Sequence, residues 1–231
     1  MVTLAIETTG EHCSIAVTDD AGLLVERVFR HRMRLLQRLV PDALAVLADA
    51  GATLTEVDLF AVGLGPGSFT GVRLGVMTAK AWADALSRPV VGVSTLEAIA
   101  EEHRAVQGVL IPMVRARPGE VYAAAYATDG AARSPLADAR VYAPSELATF
   151  AQTIGAQQVV LCGDGVRTCG DAVDEALRAV GIRARFGQAT APRASTVAAI
   201  ARERAAAGRS SNAIDLTPCY ITAPSIRLRA G

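Results

Sequence analysis

Residues 2–22 read VTLAIETTGEHCSIAVTDDAG, and this stretch decides the fold. The apolar run at 2–7 ends at a short polar turn, and residues 13–19 alternate between apolar and polar side chains. These two patterns predict two strands. A turn and a further apolar run at 23–29 extend the pair. The sequence therefore predicts a meander of three antiparallel strands at the start of the chain.

The same layout returns in the second half of the chain. Residues 108–130 read GVLIPMVRARPGEVYAAAYATDG, with a Gly-Glu pair at 119–120 where the first hairpin has one at 10–11. We therefore predict a duplicated α/β unit whose halves meet near residues 103–108. The other predicted elements are helices at 35–50, 72–87, 95–103, 168–180 and 195–207, strands at 58–64, 89–94 and 158–163, and an irregular tail.

Composition limits the classes of function. The chain has 231 residues, a formal net charge of zero and 51% hydrophobic residues, which argues against a basic nucleic-acid-binding protein. We find no signal-peptide pattern and no apolar run of about 18 residues, so we expect a soluble cytoplasmic protein that does not contact a membrane. Four cysteines without zinc-ligand spacing are expected to be reduced and buried: Cys13, Cys162, Cys169 and Cys219.

The loop at 63–73, GLGPGSFTGVR, joins a predicted strand to a predicted helix. Its backbone N–H groups could bind an anion, but it lacks Gly-Lys-Ser/Thr and its glycine spacing does not match G-x-G-x-x-G. A cation in the first helical turn opposes the helix dipole by about 0.3–1 kcal/mol, so an arginine there indicates an anionic partner. A tight turn with an internal acid and a ligand or partner contact both remain open. The candidate loop residues are Gly65, Gly67, Ser68, Thr70, Gly71 and Arg73.

Two helices are candidates for association with another chain. The helix at 35–50 is apolar around most of its circumference, although a helix covering one side of a sheet needs a stripe only about 100° wide. The helix at 72–87 carries small residues three and four positions apart, which permit close helix packing. The alternative is that both helices lie deep within one chain. The candidate association residues are Leu36, Leu39, Ala43, Gly75, Val76, Ala79 and Ala83.

Five motifs in the same order resemble the bacterial TsaB (YeaZ) family: ETTGEHCSIAV, GLGPGSFTGVRLGV, VVGVSTLEAIA, RPGEVYAAAY and TPCYI. The resemblance implies a duplicated ribonuclease-H-like, two-lobed α/β fold of the actin, Hsp70 and sugar-kinase (ASKHA) superfamily. Residues 1–105 would form the N-terminal lobe, with the glycine loop and the association helices. Residues 106–231 would form a reduced C-terminal lobe whose last helix and tail pack back on the first.

The resemblance also implies a role in forming N6-threonylcarbamoyladenosine at position 37 of tRNAs. A TsaB protein is expected to be a noncatalytic platform that binds and activates the TsaD transferase, together with the small ATPase TsaE. The association helices would meet the same pair of helices on TsaD, or on a second copy when the protein is alone. We expect no catalytic residue, metal or cofactor in the isolated chain, with ATP or ADP at the complex interface and tRNA bound only through the complex.

Three positions depart from the family pattern. Glu7 replaces the usual aspartate, Leu35 stands where a His-Ser or His-Thr pair commonly begins the first helix, and Arg115 replaces an aspartate before the second hairpin turn. A stand-alone ATPase or kinase of the superfamily is the alternative function, since Glu7 could help to hold a metal–nucleotide complex. Arg115 opposite it makes a poor metal site. Asp164 could lie beside an adenine or form a plain turn.

Two other classes have weaker support. A metallopeptidase needs clustered histidines, whereas His12, His31 and His103 are far apart, and we interpret the first and last as solvated. Direct tRNA binding would depend on the arginines at 30–38 and those at 227 and 229. These arginines lack interleaved aromatic residues and a net positive charge.

Overall fold

The structure, a computed structural model, describes residues 1–30, 34–188 and 191–221. These residues form two halves that repeat one order of elements. The first half contains β1 (Thr3–Glu7), β2 (His12–Asp19), β3 (Gly22–Arg30), α1 (Leu35–Asp49), β4 (Leu59–Gly63), α2 (Phe69–Ala85), β5 (Val90–Val93) and α3 (Thr95–Glu102). The second contains β6 (Gly108–Arg115), β7 (Val121–Thr128), β8 (Arg133–Tyr142), α4 (Pro144–Thr153), β9 (Gln158–Cys162), α5 (Val166–Ala179), β10 (Arg183–Phe186) and α6 (Ala194–Ala206).

Each half has its own five-stranded mixed sheet. The strand order is β3-β2-β1-β4-β5 in the first sheet and β8-β7-β6-β9-β10 in the second. In both, the first three strands are antiparallel and the last two are parallel to the strand at the centre. The central strands β1, β4, β6 and β9 are buried on both faces, as their continuous apolar runs require. The predicted duplication is confirmed.

Each sheet has one face covered by helices of its own half. Helices α1 and α2 pack on the first sheet around Leu4, Ile6 and Phe60, and α4 and α5 pack on the second around Ile111 and Leu161. Each of these five side chains is at most 1% exposed, so burial of apolar area in two separate cores stabilises the halves.

The opposite faces are covered by an exchange of helices between the halves. The first half's α3 packs on the second sheet, where Leu96 and Ile99 contact a core that includes Leu110. The second half's α6 packs on the first sheet, where Val197 joins a core that includes Ala61. Because α3 and α6 are the last helices of the two repeats, the exchange is reciprocal.

Ion pairs reinforce the exchange. Glu97 on α3 accepts hydrogen bonds from Arg133 on β8 at 2.8 Å and from Arg204 on α6 at 2.6 Å. Arg133 also donates to Glu101 at 2.8 Å. The side chains of Glu97, Glu101 and Arg133 are 13–15% exposed. A charged cluster with little access to water therefore joins elements from both halves.

The second half is more complete than the sequence analysis proposed. We expected a reduced lobe, but β8, α4 and β10 complete the repeat, and all three were missed. Strand β8 is an edge strand with charged residues and Pro135, which weakened the strand pattern. The N-terminus of α4 does carry a sequence signal, a glutamate three residues after the N-cap. The Glu146 carboxylate accepts a hydrogen bond from the Ala143 N–H at 2.9 Å.

Several single-residue expectations are also corrected. Cys13, Cys162 and Cys169 are buried, but Cys219 is exposed. His103 is not solvated: its Nε2 accepts from the Gln188 N–H at 3.1 Å, so Nδ1 carries the proton and donates to the Ile99 carbonyl at 2.8 Å. His12 is exposed as expected. His31, Arg32, Arg227 and Arg229 lie outside the described residues. Over the described ranges, no helix has the length and apolar character to cross a membrane.

Candidate functional site

The glycine loop sets the position at which α2 begins. Gly65 has a φ of +96°, a conformation that side chains with a Cβ rarely adopt. Ser68 is the N-cap, since its Oγ accepts a hydrogen bond from the Gly71 N–H at 3.3 Å. Thr70, the other hydroxyl residue of the loop, is exposed in the first helical turn.

Three glycines at intervals of four face the turn that follows β1. A Cβ at Gly67 would collide with the carbonyl oxygen of Thr9, one at Gly71 with the carbonyl oxygen of Thr8, and one at Gly75 with the hydroxyl of Thr8. Both threonines are buried. The Ser68 N–H donates to the Thr9 oxygen at 2.7 Å. The glycines therefore allow close approach of the protein's own backbone, and the role of the two threonines was missed.

Arg73 does not lie where the sequence analysis put it. Helix α2 begins at Phe69, three residues earlier than predicted, so Arg73 is in the second turn and the argument from the helix dipole is wrong. Its side chain is exposed, and no described residue forms an ion pair with its guanidinium. Arg73 is therefore an unpaired surface cation among the described residues, at the start of the outer face of α2.

Six of the seven candidate association residues lie inside the chain. Their burial excludes them from an exposed surface of this fold, which corrects the choice of residues. The small residues of α2 face the Thr8–Thr9 turn and the core that the first sheet shares with α1. The six are Leu39, Ala43, Gly75, Val76, Ala79 and Ala83, and only Leu36 is exposed, at 75%.

An exposed apolar stripe does run along these two helices, on other residues. On α1, Leu36, Val40 and Leu44 follow one another at intervals of four, and Leu44 is 45% exposed. On the adjacent α2, Met77 is 56% exposed. We call these four side chains the helix stripe. Periodicity indicated that α1 has two apolar faces, but it could not tell which face the sheet buries.

A cleft of about 1000 Å³ separates the two halves. Its lining includes Thr9 and Gly67 from the first half, Arg115 and Asp164 from the second, and Glu102 at the end of α3. The Arg115 N–H donates to Asp164 Oδ1 at 3.4 Å. Asp164 thus lies in the turn after β9 and faces the cleft. It lies beside Arg115, the residue that the sequence analysis placed opposite Glu7.

The carboxyl group of Glu7 is buried at the end of β1. Its Oε1 accepts from the Thr9 N–H at 2.6 Å, and Oε2 has no hydrogen-bond partner among the described residues. Burial raises the pKa of Glu7 from its ordinary value of 4.5 to about 7; the bond to Thr9 partly offsets this, and the charges of Glu102 and Asp164 add to it. Gly63 leaves the space that this side chain fills.

The raised pKa weakens Glu7 as a metal ligand near neutral pH, since the ligand form is the carboxylate. Burial also raises the pKa of Glu102 and of Asp164. Within the described parts of the chain, no three His, Cys, Asp or Glu side chains are placed to hold a metal ion.

The family model described as TsaD, tRNA N6-adenosine threonylcarbamoyltransferase, matches residues 26–223 of the chain. The tRNA threonylcarbamoyladenosine biosynthesis protein TsaB of Escherichia coli K12 is 38% identical over 128 residues, which are 54% of this chain and 55% of that protein. The chain belongs to the TsaD family and is a TsaB (YeaZ) member of it. In sequence, this TsaB-family chain spans about half the length of the curated relatives it matches.

Solved structures extend the similarity to the whole fold of this TsaB-family chain. A Pseudomonas aeruginosa protein described as similar to peptidase YEAZ is 26% identical with a TM-score of 0.79, covering 96% of this chain and 99% of that one. A ROK hexokinase from Thermus thermophilus is 13% identical with a TM-score of 0.52, covering 90% and 100%. The two-lobed sugar-kinase-like fold is therefore confirmed. The TsaB family acts in tRNA threonylcarbamoyladenosine biosynthesis.

Proposed function

We propose that this chain is a noncatalytic subunit that binds and activates a TsaD-like transferase, which forms N6-threonylcarbamoyladenosine at position 37 of tRNAs. The observation that carries the proposal is the helix stripe. Helices α1 and α2 already bury one apolar face against the first sheet, yet they expose a second one at Leu36, Val40, Leu44 and Met77. An apolar stripe on two rigid, adjacent helices is typical of an interaction surface.

A TsaD-like protein suits this stripe because the family model that matches the chain is that of TsaD. Related chains with one fold can present equivalent helix pairs to each other, and such surfaces pack around a two-fold axis. The proposal includes the same contact with a second copy when the chain is alone. It also assigns a TsaE-like ATPase, ATP or ADP and tRNA to the assembled complex rather than to the isolated chain.

The interior of the cleft supports the noncatalytic part of the proposal. Catalysis in ATPases of this architecture needs carboxylates that hold a metal–nucleotide complex. Here burial raises the pKa of Glu7 to about 7, so much of it is protonated near neutral pH, and Arg115 lies beside Asp164. The alternative, a stand-alone ATPase or kinase, is favoured by the cleft volume alone.

A pair of matched variants tests the proposal. Leu44→Glu places a charge in the helix stripe, and Leu136→Glu makes the same change on β8, where the side chain is 44% exposed against 45% for Leu44. Affinity for the TsaD-like protein, measured by titration calorimetry, should fall at least tenfold for the first variant and stay unchanged for the second. The rate at which the TsaD-like protein threonylcarbamoylates tRNA in the presence of each variant should change in parallel with the affinity. Equal binding by both variants would contradict the proposed surface.

A further inference from the structure

The segment that follows α6 runs back along α2. Ser211 and Val90 exchange two backbone hydrogen bonds of 3.0 and 3.2 Å near the end of the helix. Eight residues later, the Cys219 N–H donates to the Leu64 carbonyl at 2.8 Å, beside the glycine loop. We call residues 211–221 the strap. It comes from the second half of the chain, but both of its ends are fixed to the first half.

One lysine holds the middle of the strap. Lys80 on α2 is the chain's single lysine, and its Nζ donates to the carbonyl oxygens of Ile214 at 3.1 Å and Leu216 at 2.8 Å. Ala213 and Leu216 enter the core beneath α1 and α2. The short 3-10 turn between them is therefore held from both sides. Its central residue, Ile214, points away from this core and is 81% exposed.

The far end of the strap carries one member of an aromatic pair that lines the cleft. The ring of Tyr220 lies 5.2 Å from that of Phe69, the first residue of α2, and the two residues are 46% and 40% exposed. Among the described residues, thirteen large hydrophobic side chains are exposed, and seven of them lie on α1, α2 and the strap. These seven are Leu36, Val40, Leu44, Phe69, Met77, Ile214 and Tyr220. Such a concentration on one layer is unlike scattered surface residues.

We propose that the strap is the second part of the surface that binds the TsaD-like transferase, with Ile214 as its central contact. The inference rests on the proposed function, because the strap continues the layer that carries the helix stripe. Since Lys80 and the buried neighbours already fix the turn, Ile214 loses little conformational freedom on binding, and its burial translates more fully into affinity. The partner surface would be apolar and wide enough to cover both helices and the strap.

The test compares four single variants of the chain by titration calorimetry against the TsaD-like protein. Ile214→Glu should lower the affinity at least tenfold, Leu44→Glu should do the same, and Leu136→Glu should leave it unchanged. Lys80→Met, which keeps Ile214 but frees its turn, should cause a smaller loss of affinity. Thermal unfolding of each variant checks that the fold is intact, and Ile214→Ala, with an expected several-fold loss, replaces Ile214→Glu if that variant does not fold.

The outcomes separate this inference from the proposed function. Loss of binding with Leu44→Glu but full binding with Ile214→Glu overturns the role of the strap and leaves the helix stripe in place. Full binding by both variants overturns the proposed surface and the strap with it. If Ile214→Glu dissociates a homodimer but binds the TsaD-like protein normally, the strap serves self-association and the inference is wrong. Loss with Ile214→Glu alone supports the strap and overturns the helix stripe.

Discussion

The hydroxyl of Thr8 donates a hydrogen bond of 2.8 Å to the carbonyl oxygen of Gly71, across 63 residues of the chain. The bond forms where the turn after β1 meets the first turns of α2, and both residues are buried. The same helix exposes Met77, less than two turns later. The contact between the turn and the glycines therefore sets the depth and angle at which α2 presents its outer face.

Gly71→Ala should destabilise the fold, because the added methyl group would collide with the Thr8 carbonyl oxygen, which belongs to the backbone and cannot move freely. The problem is one of space, since a positive φ in this loop occurs at Gly65 and not at Gly71. We expect a loss of about 1–3 kcal/mol in the free energy of unfolding, measured with denaturant. Thr70→Ala, at the exposed neighbouring position, should change it by less than about 0.5 kcal/mol. An unaltered midpoint for Gly71→Ala would show that the two segments can separate without cost.

Thr8→Val should remove the hydrogen bond to Gly71 while keeping the shape of the buried side chain. We expect a loss of about 0.5–1.5 kcal/mol in the free energy of unfolding, the usual net contribution of an intramolecular hydrogen bond. Thr8→Ser keeps the hydroxyl and serves as the matched control for the bond. If valine proves no worse than serine at this position, the hydrogen bond contributes nothing measurable.

Glu7→Gln should stabilise the protein in a way that depends on pH. The carboxyl titrates near 4.5 when unfolded and near 7 when folded, so the folded state holds the extra proton in this window and stability falls as pH rises through it. The variant has no such proton to lose. Its advantage over the natural chain should grow from about zero at pH 4.5 to roughly 3 kcal/mol above pH 7. The control is Glu175→Gln on the exposed face of α5, which removes a carboxyl group that is not buried. If Glu7→Gln and the natural chain differ in free energy of unfolding by the same amount at pH 4.5 and pH 8, the raised pKa of Glu7 is contradicted.

Arg133→Met should weaken the cluster that joins the halves. It leaves Glu97 and Glu101 with one arginine each, Arg204 and Arg104, in a site with little access to water. We expect the free energy of unfolding to fall by about 1.5–3 kcal/mol, since both carboxylates lose a charge-assisted hydrogen bond that water cannot readily replace in this site. The control is Arg30→Met, which breaks an ion pair with Glu11 whose side chains are 58% and 51% exposed and should have little effect. Comparable losses for the two variants would mean that burial of the cluster is unimportant.

The repeated meander could be predicted from sequence because alternation and turn residues are local signals. Helix α1 could also be predicted, but not the face that it turns to the sheet: Leu39 and Leu36 are chemically alike, and one is buried while the other is exposed. The glycines at 67, 71 and 75 were visible at a helical spacing, yet their contact with Thr8 and Thr9 joins distant parts of the chain. Strand β8 was missed because an edge strand can carry polar residues on its open side.

The reciprocal placement of α3 and α6 has a consequence for how such a chain can be divided. A half cut out on its own would leave one apolar sheet face bare, because the helix that covers it belongs to the other half. Two copies of a single repeat could satisfy each other only by trading their last helices. The chain thus has the geometry of a swapped dimer whose two members were joined end to end, between α3 and β6.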